Sequence, residues 1–482
     1  MNERIVRVAG WLGVGAVGCI SAIAHAQTVD LQTAVYAEVP AYGVDAAVRS
    51  LRALGSVPAD GTLVPSPFLT SSDPDSRKVM AMSDAGTLGL VLAGKAQVGP
   101  ADARTPAAPW IAKVSQDDAH ELWSWHLPFD PAQRGSFSEI AIDDQGDVVA
   151  IGNQFLGQEP SRFLLMKLGG ASGDVQWRID GPEEFRGYSV ALDAQGNVAM
   201  TAAEDLGEQI VARYAGANGA PIWSKMLPDA ATGMDDYRVS TNAAGDVAAA
   251  GAYRVVATSE YGVQVAKLDA ADGSVAWQRR FVGTFMSAIQ VLRLLPDGDV
   301  LVIGSLGPGG PLARLNGDTG EVRWERGDVG EAALEVDSEG QLLVGGIVHP
   351  GAGDGLADVQ RIDAETGQTL WRWQLPGQFY TVVRALTFDR NGDALIALSE
   401  GDMWIPQEAA RLDLHSGGLR WIAVPPRGGY ATEDDFSVGV LAGDDGSVYF
   451  GGYDHGDMGE ATWTVFRVAP IADDVTFLNG FD

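Results

Sequence analysis

The stretch KLDAADGSVAWQ, Lys267–Gln278, places a basic residue, a turn and a tryptophan at fixed spacings. Asp272-Gly273 is a dipeptide typical of tight turns, and the short apolar segments around it predict β-strands rather than a helix. Variants of the stretch recur along the chain, and their tryptophans are separated by 46 to 54 residues: Trp123, Trp177, Trp223, Trp277, Trp324, Trp371 and Trp421. A regular internal period of this kind indicates a repeat architecture.

Two further positions follow the same period. A glycine lies four residues before six of the tryptophans, where a tight turn needs positive φ, and only the first repeat departs from this, with Ala119. These glycines are Gly173, Gly219, Gly273, Gly320, Gly367 and Gly417. A basic residue lies ten residues before every tryptophan, and Arg467 occupies the position of an eighth; the first seven are Lys113, Lys167, Arg213, Lys267, Arg314, Arg361 and Arg411.

A second turn recurs between the tryptophan hairpins, as in DAQGNVAMTA and DSEGQLLVGG. It has eight glycines: Gly86, Gly146, Gly196, Gly245, Gly298, Gly340, Gly392 and Gly446. Each unit therefore contains two hairpins, and four short strands in about 50 residues is the size of one propeller blade. We predict an all-β, eight-bladed β-propeller of four-stranded antiparallel blades, with seven blades as the alternative.

The eighth unit lacks its tryptophan hairpin, so its outer strand must come from elsewhere. An N-terminal strand around residues 31–39 would complete it and close the ring, whereas residues 40–77 fit the repeat poorly. The predicted organisation is a signal peptide at 1–26, an N-terminal segment at 27–77 that supplies the closing strand, the propeller at 78–470 and a C-terminal tail at 471–482.

The pattern x-K-L-D-A-x-x-G-x-x-x-W resembles the tryptophan-docking repeat of quinoprotein-type propellers, also called PQQ-like repeats. The resemblance covers residues 78 to about 470. It implies that the seven repeat tryptophans dock each blade against its neighbour. Quinoprotein dehydrogenases of this kind use a vicinal cysteine pair, a calcium ion held by acidic and amide side chains, and an aspartate base. The chain has one cysteine, so we assign it to a non-catalytic branch with no cofactor.

The N-terminus has the layout of an export signal. Arg4 and Arg7 precede an apolar stretch at 8–24, and Ala24-His25-Ala26 fits a cleavage site that would leave Gln27 first. We therefore expect a periplasmic or extracellular protein. The alternative is a lipoprotein anchored through Cys19, and only in that case would the membrane be a partner.

Composition limits the partners. Asp and Glu number 64 against 33 Lys and Arg, which gives a net charge of −31. An acidic chain of this kind repels nucleic acid, so the expected partner is a protein or a glycan, and we expect a monomer. The eight repeated basic residues have two interpretations: a ring that binds an anion, or structural pairing with Asp and Glu, which we favour because long basic side chains usually cover apolar surface and pair locally.

The connections between hairpins lengthen in the late blades, and loops on a rigid scaffold are where binding usually occurs. The predicted ligand face therefore comprises Trp404, Arg427, Tyr430, His455 and Asp457. Asp389, Asn391 and Asp393 have alternating oxygen ligands for calcium, but hairpin turns require the same residue types. The six histidines have no zinc spacing. The predicted function is a non-catalytic binding or scaffold protein; the alternative is an envelope enzyme, either a degenerate quinoprotein dehydrogenase or a polysaccharide-cleaving propeller.

Overall fold

The structure is a computed structural model, and it describes the β-strands and most of the tight turns of the chain. The described residues are 62–63, 66–70, 77–84, 89–97, 107–128, 133–156, 161–204, 208–228, 237–255, 258–283, 288–349, 355–376, 380–401, 407–423, 437–443, 445–455 and 461–468. None of these residues forms a helix that could span a membrane.

Short apolar segments between turns form 33 strands in the described residues. In chain order they are β1 (Thr62–Leu63), β2 (Ser66–Thr70), β3 (Arg77–Asp84), β4 (Leu90–Gln97), β5 (Ala107–Val114), β6 (Glu121–His126), β7 (Gln133–Ile142), β8 (Val148–Leu156), β9 (Ser161–Leu168), β10 (Val175–Glu183), β11 (Phe185–Leu192), β12 (Val198–Glu204), β13 (Glu208–Tyr214), β14 (Pro221–Pro228), β15 (Tyr237–Thr241), β16 (Val247–Val255), β17 (Glu260–Leu268), β18 (Val275–Val282), β19 (Ile289–Leu294), β20 (Val300–Gly304), β21 (Leu312–Leu315), β22 (Val322–Arg326), β23 (Ala333–Val336), β24 (Leu342–Val348), β25 (Leu356–Ile362), β26 (Thr369–Pro376), β27 (Tyr380–Phe388), β28 (Ala394–Gly401), β29 (Gln407–Leu412), β30 (Leu419–Ala423), β31 (Ser437–Ala442), β32 (Val448–His455) and β33 (Ala461–Val468).

The strands form eight antiparallel sheets of consecutive strands, which are the blades of a propeller. Blade 1 is β3–β6, and each following group of four strands is the next blade, up to blade 7 at β27–β30. Blade 8 comprises β31, β32 and β33, with β2 as its outer strand. The eight-bladed prediction is confirmed, and the seven-bladed alternative is wrong.

A strand from the N-terminal segment completes blade 8, but it is β2 rather than the expected stretch around residues 31–39, which lies outside the described residues. Ser66 of β2 pairs with Arg467, and Thr70 pairs with Thr464. This segment lacks the repeat pattern, and it contains Pro67, which is tolerated because an outer strand has one unpaired edge. Just before it, β1 adds in parallel to the outer strand of blade 7, so β1 and β2 belong to two different blades.

The core is divided among the junctions between blades. A separate cluster of buried apolar residues fills each of the eight junctions, since each sheet is apolar on both faces. At the closing junction, Leu90 and Trp110 of blade 1 pack with Tyr449 and Val465 of blade 8. The ring is therefore closed by packing as well as by strand pairing.

The ring has two different faces, because neighbouring strands run in opposite directions. The turn face holds the connections from first to second and from third to fourth strands. The loop face holds the other connections. The first strand of each blade is innermost, and these strands contact one another in order around the axis, from β3 to β31 and back to β3.

Candidate functional site

Six tryptophans of the repeat contact the following blade in the same way. Each indole Nε1 donates a hydrogen bond to a backbone carbonyl at the tip of the next blade's outer hairpin, at 2.6 to 3.0 Å. The pairs are Trp123 with Gly170, Trp177 with Gly216, Trp223 with Ala270, Trp277 with Gly317, Trp324 with Ala364 and Trp371 with Leu414. Trp421 is 3% exposed and packs with blade 8, and the matching acceptor position lies outside the described residues.

The repeated glycine lies beneath the indole of the preceding blade. Gly320 has φ of +71°, and a Cβ there would lie 2.6 Å from Cε3 of Trp277. The other five glycines of this set have φ between +67° and +71° and the same close tryptophan ring. A side chain at this position would therefore meet both a strained backbone and an occupied space.

The repeated basic residues reach the same junctions and are paired. Lys113, Lys267 and Arg314 each donate to the carbonyl that also accepts the indole N–H from their own blade, at 3.2, 3.1 and 2.6 Å. The other contact is a carboxylate in the second turn, such as Asp143 for Lys167, 2.7 Å away. This pairing holds for Arg361, Arg411 and Arg467 as well. The structural interpretation of these residues is confirmed.

Pairing with a basic residue also affects the pKa of the acidic partner. Burial of Asp193 favours its neutral form, but the Arg213 guanidinium and the Asn197 amide groups outweigh burial and lower the pKa of this carboxyl. Asp389 and Asp393, which we considered as calcium ligands, both contact Arg411, at 2.8 and 3.0 Å.

The closing junction uses different donors. Ser66 occupies the register of the docking tryptophan, opposite Arg467, just as Trp177 lies opposite Lys167. The carbonyl of Gln116, which corresponds to the indole acceptors, instead accepts the Tyr449 hydroxyl at 2.7 Å. Ala119 keeps a φ of 60° without being glycine, because the preceding blade has no tryptophan in this register. Burial raises the pKa of Tyr449 to about 12.

The axis holds a second set of polar residues. Glu139 on β7 and Arg238 on β15 lie at the same height, each paired with the residue five positions after its blade's second-turn glycine. Two residues nearer the turn face, the Arg293 guanidinium on β19 contacts the Glu335 carboxylate on β23 at 2.6 Å. Burial raises the pKa of Glu139, while Arg238, the Ser189 hydroxyl, the Val190 N–H and Arg293 oppose the rise. The innermost strands of blades 2, 4, 5 and 6 therefore place interacting charges around the axis.

The predicted ligand face lies almost wholly outside the described residues. Trp404, Arg427, Tyr430 and Asp457 are outside them, and His455 is the last residue of β32, with no described side chain. The strands that bracket these connections, β28 to β29, β30 to β31 and β32 to β33, all end on the loop face. The prediction therefore stays a prediction.

Glu139 and Arg238 were not singled out from the sequence. The repeat was aligned on its turns and tryptophans, and innermost strands contain neither. In blades 2 to 8, the residue seven positions before the second-turn glycine is charged at Glu139 and Arg238, and it is uncharged and small or medium in size in the other five blades. That departure from the repeat is the signal that would have identified them.

The chain matches the model of the family described as outer membrane protein assembly factor BamB, over residues 207–349 and again over residues 295–464. Together the two matches cover more than half of the sequence. The chain belongs to this family of PQQ-like repeat propellers. No curated protein sequence matches the chain.

Several solved structures are similar to this PQQ-like repeat propeller. A quinohemoprotein alcohol dehydrogenase from Pseudomonas putida HK5 gives a TM-score of 0.49 at 10% identity, covering 84% of this chain and 76% of that chain. A puromycin hydrolase gives 0.42 at 14% identity, covering 81% and 62%. A protein from Bacteroides caccae gives 0.28 at 16% identity, covering 60% and 79%.

The described residues of this PQQ-like repeat propeller do not fit a quinone cofactor with calcium. The quinoproteins that the repeat resembles hold these groups with a cysteine pair and converging acidic and amide side chains. The only cysteine in the sequence is Cys19. Among the described residues, no three His, Cys, Asp or Glu side chains converge to hold a metal ion. At the register of Glu139, the described first strands instead place one carboxyl group and one guanidinium group beside the axis.

Proposed function

We propose that the chain is an exported, non-catalytic binding or scaffold protein that recognises a protein partner through its loop face. The family model that it matches is described as an assembly factor of the outer membrane, which favours a protein over a glycan. Export brings the chain to the compartment that this description implies, and the expected signal peptide at 1–26 supports it.

The observation that carries the proposal is the use of the repeated polar residues. The tryptophans, glycines and basic residues that define the repeat contact an adjacent blade or the second turn of their own blade. They stabilise a rigid ring and contribute no converging set of reactive groups. A rigid ring that presents long connections on one face is the arrangement typical of a binding scaffold.

Site-specific photo-crosslinking in the native cell envelope tests the proposal. A crosslinking amino acid at Trp404 or Tyr430 should give one discrete protein adduct, because both lie in loop-face connections. The matched control is the same amino acid at Leu122, which is 45% exposed at the turn-face end of β6. Adducts at Leu122 equal to those at Trp404 would contradict the loop-face assignment.

Two further measurements separate binding from catalysis. The double variant Trp404→Ala with Tyr430→Ala should lose the partner while its far-UV circular dichroism and thermal unfolding stay unchanged. The wild-type chain should reduce no redox dye with added quinone cofactor, calcium, and alcohol or sugar substrates. Stoichiometric quinone uptake with substrate oxidation would replace the scaffold proposal with the enzyme alternative.

Export has its own test. Mass spectrometry of protein recovered from the periplasm or the medium should identify Gln27 as the mature N-terminus, as the Ala24-His25-Ala26 site implies. A diacylglyceryl group on Cys19 would show instead that the chain is a membrane-anchored lipoprotein.

A further inference from the structure

Glu139 and Arg238 interrupt a ring of short side chains at one height on the axis. At this register, Glu139 pairs with Ile151 and Arg238 pairs with Ala250. Five other blades have a small or medium apolar or hydroxyl residue, or none, at the same register: Ser189, Val291, Ala333, Ala385 and Gly439. Among these seven blades, Glu139 and Arg238 are therefore the only residues with a charged side chain at this register.

Arg238 is held in place by backbone carbonyls and not by a carboxylate. Its Nε donates to the Gln290 carbonyl at 3.0 Å, and its Nη1 donates to the Tyr237 carbonyl at 3.2 Å. Within the part of the chain that the structure describes, no carboxylate lies at ion-pair distance from it. A guanidinium has five N–H donors, so two carbonyls leave donors available on its outer edge.

The neighbouring charged residues, unlike Arg238, are paired with carboxylates or with basic residues. Arg293 is neutralised by Glu335 at 2.6 Å, and the basic residues of the third strands contact turn carboxylates. Arg293 and Glu335 are 45% and 35% exposed, so solvent reaches the axis at their height, and Arg238 is itself half-buried. A small solute that enters the axis therefore meets an oriented cation whose remaining donors have no hydrogen-bond partner among the described residues.

We propose that Arg238 and Glu139 form a binding site for a small oxyanion, a carboxylate or phosphate group, on the axis of the ring. The planar fork of Arg238 matches two oxygens of such a group, and the carbonyl contacts fix its orientation before binding. Burial raises the pKa of Glu139, and in its protonated form the carboxyl can donate its hydroxyl to a further ligand oxygen. The site is separate from the loop-face partner site proposed above.

Isothermal titration of the mature chain with succinate, and separately with inorganic phosphate, tests the proposal at constant ionic strength. One of the two should bind at one site per chain, and the tighter one assigns the ligand class. Arg238→Gln should weaken binding by about tenfold to a hundredfold, the usual loss for hydrogen bonds to a charged group. Glu139→Gln should bind as tightly as wild type or more tightly, since Gln always has a donor and never carries the negative charge of an ionised Glu139.

The matched control is Arg178→Gln, which removes the same charge from an outer strand where Arg178 already contacts Asp180 at 2.7 Å. It should change affinity by less than about twofold, because exposed ion pairs contribute little. Circular dichroism establishes folding of each variant, and Arg238→Lys replaces Arg238→Gln if the latter is unfolded; it should bind more weakly than wild type because it lacks the fork. No binding of either anion at about 10 mM, or equal losses in Arg238→Gln and Arg178→Gln, would overturn the site.

Discussion

Glycine and tryptophan act together across six of the described junctions, although they come from different blades. Gly320 belongs to the hairpin that leads to Trp324, yet its missing side chain makes room for Trp277. The spacing of four residues within one repeat therefore records a contact between two repeats. A positive φ explains the glycine only in part, since the ring that covers it excludes any Cβ.

Replacing Gly320 and Gly340 by alanine should separate these two causes. Both have positive φ, 71° and 78°, but a Cβ at Gly340 would have nothing within 4 Å. Gly340→Ala should lower the free energy of unfolding by about 1 kcal/mol, from backbone strain alone. Gly320→Ala should lower it by about 1–3 kcal/mol more, because the added methyl displaces the indole. Urea titration measures both, and equal losses would mean that the indole does not need this space.

Trp277 should account for a large part of one junction's stability. Trp277→Ala should cost about 3–5 kcal/mol in urea unfolding, as for a large buried aromatic residue. Trp277→Phe keeps most of the apolar area and should lose mainly the hydrogen bond to Gly317. Trp404→Ala, in a loop-face connection, should cost far less. Equal losses for Trp277→Ala and Trp404→Ala would rule out the docking assignment.

Glu139 should destabilise the fold as pH rises. Its pKa is raised in the folded state, so the contribution to stability is complete below the unfolded-state pKa, about 4.3, and is lost as pH rises through the folded-state value. Glu139→Gln is always neutral, so the stability difference, variant minus wild type, should grow above pH 4 or so.

Asp193→Asn is a control for which the pH dependence of stability should have the opposite sign. The pKa of Asp193 is lowered by Arg213 and Asn197 against the effect of burial, so its carboxylate stabilises the fold above the unfolded-state pKa of about 3.9. Asp193→Asn should be less stable than wild type at pH 7, and the difference should shrink as pH falls through the folded-state pKa. The stability difference between each variant and wild type is measured by urea unfolding from pH 3 to 8. The same pH dependence for Glu139→Gln and Asp193→Asn would contradict both assignments.

At the scale of elements, the closing strand β2 replaces the outer strand of a repeat without its tryptophan. The Tyr449 hydroxyl donates to Gln116 in its place, from the second strand of blade 8 and not from the outer one. The same acceptor position is thus kept at the closing junction while the donor changes. Tyr449 is fully buried, so the hydroxyl has no access to water as an alternative partner.

Tyr449→Phe should lower the free energy of unfolding by about 1–3 kcal/mol, because it leaves the Gln116 carbonyl without this donor in a buried junction. The ring packing of the side chain is kept, so the loss reports the hydrogen bond. Phe450→Leu at the neighbouring, equally buried position tests packing alone. A Tyr449→Phe variant as stable as wild type, measured by chemical denaturation, would show that the bond does not stabilise closure.

The sequence was sufficient for the elements that repeat and insufficient for those that occur once. Turn glycines, docking tryptophans and basic residues appear in six to eight copies each, so a chance match in one copy does not change the blade count. β2 has five residues, a proline and no counterpart elsewhere, so no pattern distinguishes it from the 31–39 stretch. Glu139 and Arg238 occur once each, and only their shared register, set by strand pairing, brings them to one height.

At the scale of the whole molecule, stability is distributed among eight similar junctions rather than concentrated in one core. Each junction has its own apolar cluster, and six described junctions also have an indole hydrogen bond. In such repeat proteins, each unit depends mainly on its neighbours. The closing junction differs from the rest in its donor and in joining strands that are distant in sequence.

The pairing of β2 with β33 determines how the ring would respond to mechanical force. Ser66 lies opposite Arg467 and Thr70 opposite Thr464, so the chain enters β2 and leaves β33 at the same end of the ladder. Tension applied through those two ends would load one hydrogen-bonded pair at a time, beginning with Ser66 and Arg467, instead of loading all pairs in shear. An optical-tweezers experiment should therefore record an early, low-force extension as blade 8 loses its outer strand, followed at higher force by the blades whose strands are all contiguous.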